Sequence, residues 1–432
     1  MAHGRGAGVA PRYVGGMKAW SAPQIPVVDV ESPQAPNRLM VHDTARGELV
    51  QVGPQEGSAR MYVCGITPYD ATHLGHANTY VTFDLLNRAW RDLGLEVVYA
   101  QNVTDVDDPL LERAEATGQD WTELAEDQTQ LFRTDMEALR VVPPQHYIGA
   151  VECVQCVVAL VESMKGSGTI YQVDDPQYPD WYFQCEAAPG FGGVSNLSED
   201  EMLRRFVEMG GDPERPGKRH PLDCLVWRME REGEPAWDSS LGRGRPGWHI
   251  ECTSIALKYL GAAFDVQGGG SDLAFPHHEM CAAEGVVASG EAFAEAFVHS
   301  GMVALDGEKM SKSRGNLELV SRLRANGHDP MAIRLALLAH HYRENWEWRP
   351  HEIETAERRL AQWREAVALH ATLPATDSIS QARRAIRTDL DAPGALAAID
   401  AWAQASLSID GDEVAAAGQV RDFVDAVLGV RL

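Results

Sequence analysis

Short apolar runs alternate along the chain with amphipathic stretches of helical period. Arg60-Met61-Tyr62-Val63-Cys64-Gly65 reads as a strand running into a glycine turn. Val81, Leu85, Leu86 and Ala89 recur at helical spacing, which predicts a helix over 77–93 ended by Gly94. Leu95-Glu96-Val97-Val98-Tyr99-Ala100 is the next strand. This order predicts a βαβ unit opening an α/β, doubly wound parallel sheet, with an anion site at the turn above the first strand. Residues 109–165 predict two further helices, and 166–223 are broken and turn-rich, as in an inserted subdomain. From Gly247 the alternation returns: a helix over 250–260, a strand at Phe264-Asp265-Val266, then Gly268-Gly269-Gly270. Leu49-Val50-Gln51-Val52 is a strand-like piece in an otherwise irregular, Pro-rich 17–60. Beyond about 328 the pattern is helical, with a linker expected at 374–380. The expected organisation is a disordered extension over 1–16, a first catalytic half over 17–145, a connective insertion over 146–245, a second half over 246–327 and a helical domain over 328–432. Met17 is an alternative start.

Composition narrows the class. A chain of 432 residues, 44% hydrophobic and 23% charged, suits a globular protein of two or three domains. No run of eighteen apolar residues predicts a membrane span, and the N-terminus lacks the apolar core of a secretory signal. Seven cysteines without such a signal predict a reducing, cytoplasmic setting. A net charge of -25 disfavours extended nucleic-acid binding, which needs clustered Lys and Arg.

The candidate chemistry begins at Lys309-Met310-Ser311-Lys312-Ser313, a loop with Gly307 and Gly315 on its two sides. Such a loop can close over a triphosphate and place two ammonium groups on departing pyrophosphate. Upstream, Thr72-His73-Leu74-Gly75-His76 lies where the first strand meets the first helix. An H-x-x-H pair can also ligate a metal or merely begin a helix; its position favours phosphate binding by His73 and His76, with Gly75 admitting a close nucleotide. Cys64, Cys252 and His277 belong to three segments expected at the carboxyl edge of one sheet. They could share one Zn²⁺, yet their spacing alone fits buried core residues better. The literal C-x-x-C, Cys153 and Cys156, lies in an apolar helical run and reads as a pair of structural thiols, as do Cys185 and Cys224.

The paired histidine and lysine motifs are the signature of class I aminoacyl-adenylate enzymes, which this chain resembles. Tyr62 to Asp70, Asn102 to Asp108, Pro246 to Cys252 and Gly268 to Glu279 look like the blocks of cysteinyl-tRNA synthetases, over about 40–350. The resemblance implies a Rossmann-like catalytic domain, an inserted subdomain and a C-terminal helical bundle. It implies one Zn²⁺ per chain on Cys64, Cys252 and His277, holding the substrate cysteine by its thiolate and so rejecting serine without editing. It makes His73, His76, Lys309 and Lys312 catalytic. It lines the adenylate pocket with Cys64, Gly65, Ile66, Thr67, Thr79, Asn102, Val103, Thr104, Trp248, Gly270, Ser271, Asp272 and Val303; for Thr and Asp, caps and turns are the plainer reading. ATP is then a substrate, with Mg²⁺.

Two departures shape the expectation. The family's fourth ligand, a glutamate, is replaced by Cys281, read as a spectator although it could ligate from one helical turn beyond His277. Only 119 residues follow Ser313, and from Arg314 onward there are 14 Arg, no Lys and 17 Asp or Glu, unlike a basic anticodon-binding module. Glu208-Met209-Gly210-Gly211-Asp212-Pro213 is similar to a block of the mycothiol-pathway cysteine ligases, with Met209 in place of its arginine. The start at Met17 to Pro23 and Pro109 after Asp108 point to the same group. The resemblance therefore implies an AMP-forming ligase joining cysteine to the amine of glucosaminyl-inositol, acting as a monomer on small molecules and not on tRNA. A shortened cysteinyl-tRNA synthetase is the alternative.

Overall fold

The computed structural model describes residues 16–28, 30, 32, 35–69, 72–305, 307–310 and 317–432, with Lys309 described by its backbone alone. The expected extension thus lies, but for Gly16, outside the described residues, as does Lys312.

The chain enters through a hairpin, β1 (Leu39–Asp43) and β2 (Glu48–Val52). The predicted βαβ unit follows as β3 (Ser58–Val63), α1 (Leu74–Asp92) and β4 (Glu96–Val103). Gly94, at φ +83, turns the chain between helix and strand, a conformation that costs glycine little. Next come α2 (Asp108–Thr117), α3 (Trp121–Ala138), β5 (His146–Gly149) and α4 (Val154–Met164). Where the periodicity predicts two helices there are three and a strand, because β5 is only four residues long and carries too little pattern to read. The insertion contains β6 (Ile170–Gln172), β7 (Trp181–Phe183), α5 (Glu199–Glu208), β8 (Cys224–Met229) and β9 (Gly244–Pro246), whose strands form an antiparallel sheet in sequence order. The alternation resumes with α6 (Trp248–Leu260), β10 (Phe264–Gly270), α7 (Glu279–Ser289) and β11 (Ala294–Ser300).

The main sheet has the order β11-β10-β3-β4-β5, parallel throughout. Its first half winds outward from β3 and its second from β10, so the topological switch lies between these two central strands. Crevices at such switches, beyond the carboxyl ends of the strands, are where open α/β sheets bind ligands. α1 is buried along most of its length. Leu85, Leu86, Phe83 and Trp90 pack into the main core, each contributing about 1.5–3 kcal/mol. Gly268 of β10 admits this helix: a Cβ there would lie 2.3 Å from the Phe83 ring.

Beyond the sheet, β12 (Val303–Leu305) and β13 (Glu308–Lys309) form a hairpin, followed by α8 (Val320–Ala325), α9 (Pro330–Leu338) and β14 (Trp346–Glu347), which pairs with β12. The C-terminal helices are α10 (Pro350–Val367), α11 (Thr376–Arg387), α12 (Ala392–Ser408) and α13 (Ala416–Phe423). The expected linker at 374–380 is a correction: α11 starts at Thr376. Thr376, Asp377 and Ser378 suggest a loop, but they occupy the outer face of a helix whose Ile379 and Ala382 are fully buried.

Asp84 of α1 joins this helical region to the sheet. Its Oδ2 accepts from Arg88 Nε at 2.7 Å and from Arg334 of α9, and its Oδ1 from the Val142 N–H at 2.7 Å. Arg334 also donates to the carbonyls of Leu139 and Leu428. Arg383 and Arg387 of α11 both reach Asp92 at the end of α1.

Candidate active site at the switch of the sheet

Cys64 leaves the end of β3, and its N–H donates to the Gly268 carbonyl at 3.0 Å, binding the two central strand ends together. Asn102, near the end of β4, holds the neighbouring turn. Its Oδ1 accepts from the Gly65 N–H at 2.7 Å and the Tyr62 hydroxyl at 3.0 Å, and its Nδ2 donates to Thr104 Oγ1. Only glycine fits at Gly65, because a Cβ would lie 1.7 Å from the Asn102 carbonyl oxygen. Three expected pocket residues, Gly65, Asn102 and Thr104, thus share one hydrogen-bonded corner, and the Thr104 N–H donates to Ile66.

His73 is the N-cap of α1. Its Nδ1 accepts from the N–H groups of Gly75 at 3.1 Å and His76 at 3.4 Å, so the neutral ring carries its proton on Nε2. The His76 ring stacks on it at 3.8 Å between centroids. A Cβ at Gly75 would lie 2.8 Å from the His73 ring, so this glycine is required by the cap itself. On the next turn Thr79 Oγ1 meets Ser300 Oγ at 2.8 Å, and Asp272 packs against Gly270, where a Cβ would lie 2.7 Å from its Oδ1.

The lysine motif begins at the end of β13 with Lys309. Beyond it the chain docks on the start of α1: Leu74 N–H donates to Glu318, Val320 N–H to Thr72, and Leu319 bridges His73. These backbone bonds fasten Glu318 to Val320 beside the two histidines. Val303 belongs to β12, at the foot of the same hairpin.

The sulfur and imidazole donors of Cys64, Cys252 and His277 all lie within 4.8 Å of one another, and all three residues are buried. Cys252 is carried by α6, and His277 precedes α7. His277 Nε2 lies 3.3 Å from Cys252 Sγ and 3.9 Å from Cys281 Sγ, while Cys281 Sγ also contacts the His249 carbonyl at 3.4 Å. The seven cysteines are free thiols. Burial, and then the contact with Cys252, push the Cys64 thiol well up. Burial would push Cys252 up as well, but the Cys64 thiol and the His277 imidazole hold it well below its usual value. Two sulfurs and an imidazole, all shielded from water and with Cys252 biased toward its thiolate, form a soft donor set that fits Zn²⁺.

Further groups surround these three. Trp248 stacks on His277 at 4.4 Å, so this expected pocket residue borders the thiol group. His249 Nδ1 meets His277 Nδ1 at 3.0 Å. His278 Nε2 lies 3.2 Å from Cys64 Sγ, and a chain runs from His278 through His299 at 2.8 Å to Thr44 at 2.6 Å. Burial pulls His249 and His278 well down and His299 down to about 4, so these rings are neutral at pH 7. An acidic rim adjoins: burial raises Asp107 to about 6 and Glu251 well up, and Glu251 Oε2 is buried without a hydrogen-bond partner. Arg245 pairs with Asp108 and Glu234 across this rim. Asp107, His249 and Glu251 lie inside the sequence motifs with no role of their own, and His299 lies outside every motif. Its place near the carboxyl end of β11 is seen only in the fold. Glu208 to Pro213 closes α5: Gly210 turns at φ +87, and Asp212 holds Tyr182 and Lys218.

Among known proteins, the family of tRNA synthetases class I (C) catalytic domains matches residues 51–358. The chain is 60% identical over 419 residues to the L-cysteine:1D-myo-inositol 2-amino-2-deoxy-alpha-D-glucopyranoside ligase of Streptosporangium roseum, covering 96% of this chain and 100% of that one. The protein of the same name from Thermobispora bispora is 58% identical over 417 residues, with the same coverage. In fold, the chain is similar to Mycobacterium tuberculosis methionyl-tRNA synthetase bound by methionyl-adenylate, with a TM-score of 0.58 at 16% identity over 86% of this chain and 92% of that one. It is also similar to the leucyl synthetase in a ternary complex from Agrobacterium radiobacter, with a TM-score of 0.62 at 12% identity over 87% and 84% of the two chains.

Proposed function

Because the chain belongs to the family of tRNA synthetases class I (C) catalytic domains, and within it to the L-cysteine:1D-myo-inositol 2-amino-2-deoxy-alpha-D-glucopyranoside ligases, we propose that it activates cysteine with ATP and transfers it to the amine of glucosaminyl-inositol. The observation that carries this reading is the juxtaposition, on one sheet edge, of a buried thiol–imidazole group with a helix start bearing two histidines.

The cysteine carboxylate attacks the α-phosphate of ATP, forming cysteinyl-AMP as pyrophosphate leaves. His73, with its proton on Nε2, and His76 donate to the charge that spreads over the phosphates, helped by the N-terminal N–H groups of α1. Lys309 and Lys312 neutralise the departing pyrophosphate, and Mg²⁺ accompanying ATP would offset further negative charge there. The neutral amine of the acceptor then attacks the carbonyl, the amide forms, the amine proton is released and AMP leaves. Cys64, Cys252 and His277 would hold Zn²⁺, which when bound selects a thiolate over a serine hydroxyl. Trp248 packs on His277 and fixes the ring against that group. Asn102 and Gly65 shape the corner in which the activated carboxyl sits, and Thr79, Gly270, Ser271 and Asp272 line the nucleotide side. Much of the acceleration comes from holding two substrates around one carbonyl. We read the enzyme as a monomer of the cytoplasm, the compartment being supported by its seven free thiols.

The test is to incubate the protein with cysteine and ATP, then offer glucosaminyl-inositol or tRNA. Amide formation with AMP release is expected for the amino sugar. Transfer of cysteine to tRNA alone would overturn the proposal.

A further inference from the structure

The pair Cys153 and Cys156 stands apart from the thiols of the sheet edge. Cys153 is fully buried at the N-cap of α4, in the same apolar cluster as Tyr62, Cys64 and Cys252. Cys156 lies one turn further on and is half-buried. The other five cysteines are buried. Lys258, exposed on α6, places its Nζ 3.1 Å from Cys156 Sγ and 5.0 Å from the centre of the Tyr259 ring. An ammonium at hydrogen-bond distance from a half-buried sulfur favours its thiolate form.

We propose that Cys156 is a thiol-modification site, whose thiolate attacks a small-molecule disulfide and is resolved by Cys153 into an intramolecular disulfide. In the first step Cys156 Sγ forms a bond to one sulfur of the disulfide, the old S–S bond breaks, and one small thiolate leaves and takes a proton from solvent. In the second step Cys153 Sγ attacks the Cys156 sulfur of the adduct. The second small thiolate leaves with the proton that Cys153 gives up. Two protein thiols are oxidised by two electrons, and one small disulfide is reduced to two thiols.

Three features support this assignment. Hydrogen bonding from the Cys153 thiol, assisted by the Lys258 ammonium, pulls the Cys156 thiol down and favours its thiolate. The same contact pushes Cys153 up, keeping the resolving thiol protonated until the adduct forms. Residues three apart on a helix have Cβ atoms about 5–6 Å apart, and a disulfide needs about 3.5–4.5 Å. Closure therefore asks for a small adjustment, at the place where the 3₁₀ turn Val151–Cys153 runs into α4.

The test uses the full chain at pH 7 with oxidised glutathione as probe, under anaerobic conditions, read by intact mass and peptide mapping. Cys156 is expected to react first, and the end product to be a Cys153–Cys156 disulfide lacking two hydrogens and carrying no glutathione. In Cys153→Ser the mixed disulfide should persist on Cys156. In Lys258→Met, an exposed change that keeps the fold, the reaction should slow by about tenfold as the thiolate loses its cation. If Cys156 reacts no faster than the buried cysteines, if the wild-type protein retains glutathione, or if Lys258→Met reacts at the wild-type rate, the proposal is overturned.

Discussion

His73 has two separable jobs. Its ring caps α1 and, in the proposed reaction, donates from Nε2 to the phosphates. His73→Ala should cost about 1 kcal/mol of stability through the lost cap and about 100-fold in cysteine-dependent pyrophosphate exchange. His73→Asn, which keeps a capping acceptor, should regain the stability and not the rate. Parallel thermal melts and exchange assays separate the two effects, and recovery of both by Asn would reduce His73 to a cap. At the thiol group, Cys252→Ser should lose bound zinc, measured by metal analysis of the purified protein, and lose cysteine activation with it. Glu284 gives a pH-dependent prediction. Burial raises it to about 8, against weaker contacts from Thr253 and Cys224. A raised folded value means that its contribution is complete below the unfolded value, about 4.3, and is lost as pH rises through about 8. Glu284→Gln should therefore gain on the wild-type protein between pH 6 and 9, by on the order of 1–3 kcal/mol, in denaturant melts at the two pH values.

At the scale of elements, the site depends on backbones that approach closely. Gly65 lies against the Asn102 carbonyl, and Gly247, ahead of α6, lies against the Leu225 carbonyl, where a Cβ would be 1.9 Å away. Gly247→Ala should push α6 off β8 and displace Trp248 and Cys252 together. The expected outcome is a loss of metal retention and of cysteine binding larger than the loss of ATP binding, since the nucleotide side is built on α1 and β10. Equal losses of both ligands would show that the two halves of the site do not move independently. The βαβ unit was legible beforehand because its helical and strand periods are local properties. β5 was not, since four residues carry too little pattern, and α11 was hidden by the polar residues on its outer face.

The whole molecule is held together through Asp84. This carboxylate is fully buried between Arg88 and Arg334, so α1, α9 and the carbonyl of Leu428 meet at one charge cluster. Burial opposes its ionisation, yet the two guanidinium groups hold it below its ordinary value. A depressed folded value means that its contribution is present above the unfolded value, about 3.9, and is lost as pH falls through the lower folded one. Asp84→Asn should cost about 3–5 kcal/mol at pH 7, because two buried cations lose their partner. The gap to the wild-type protein should narrow on acidification, which melts between pH 7 and 3 would show; a constant gap would remove the charge argument.

The order of motifs along the chain, from the histidine pair to the lysine loop, was enough by itself to imply adenylate chemistry, because each motif is short, contiguous and tied to a strand or helix end. The thiol group was different. Cys64, Cys252 and His277 have no diagnostic spacing, and their spacing alone favoured buried core residues. They meet because β10 inserts beside β3, and that pairing is a property of the sheet rather than of any segment. The same long-range packing decided that Trp248 faces His277, that His278 and His299 extend the group toward Thr44, and that Lys258 of one helix sits on Cys156 of another. Local periodicity and short motifs determine elements and reaction class. Contacts between residues far apart in the chain exist only once the sheet has set its strand order.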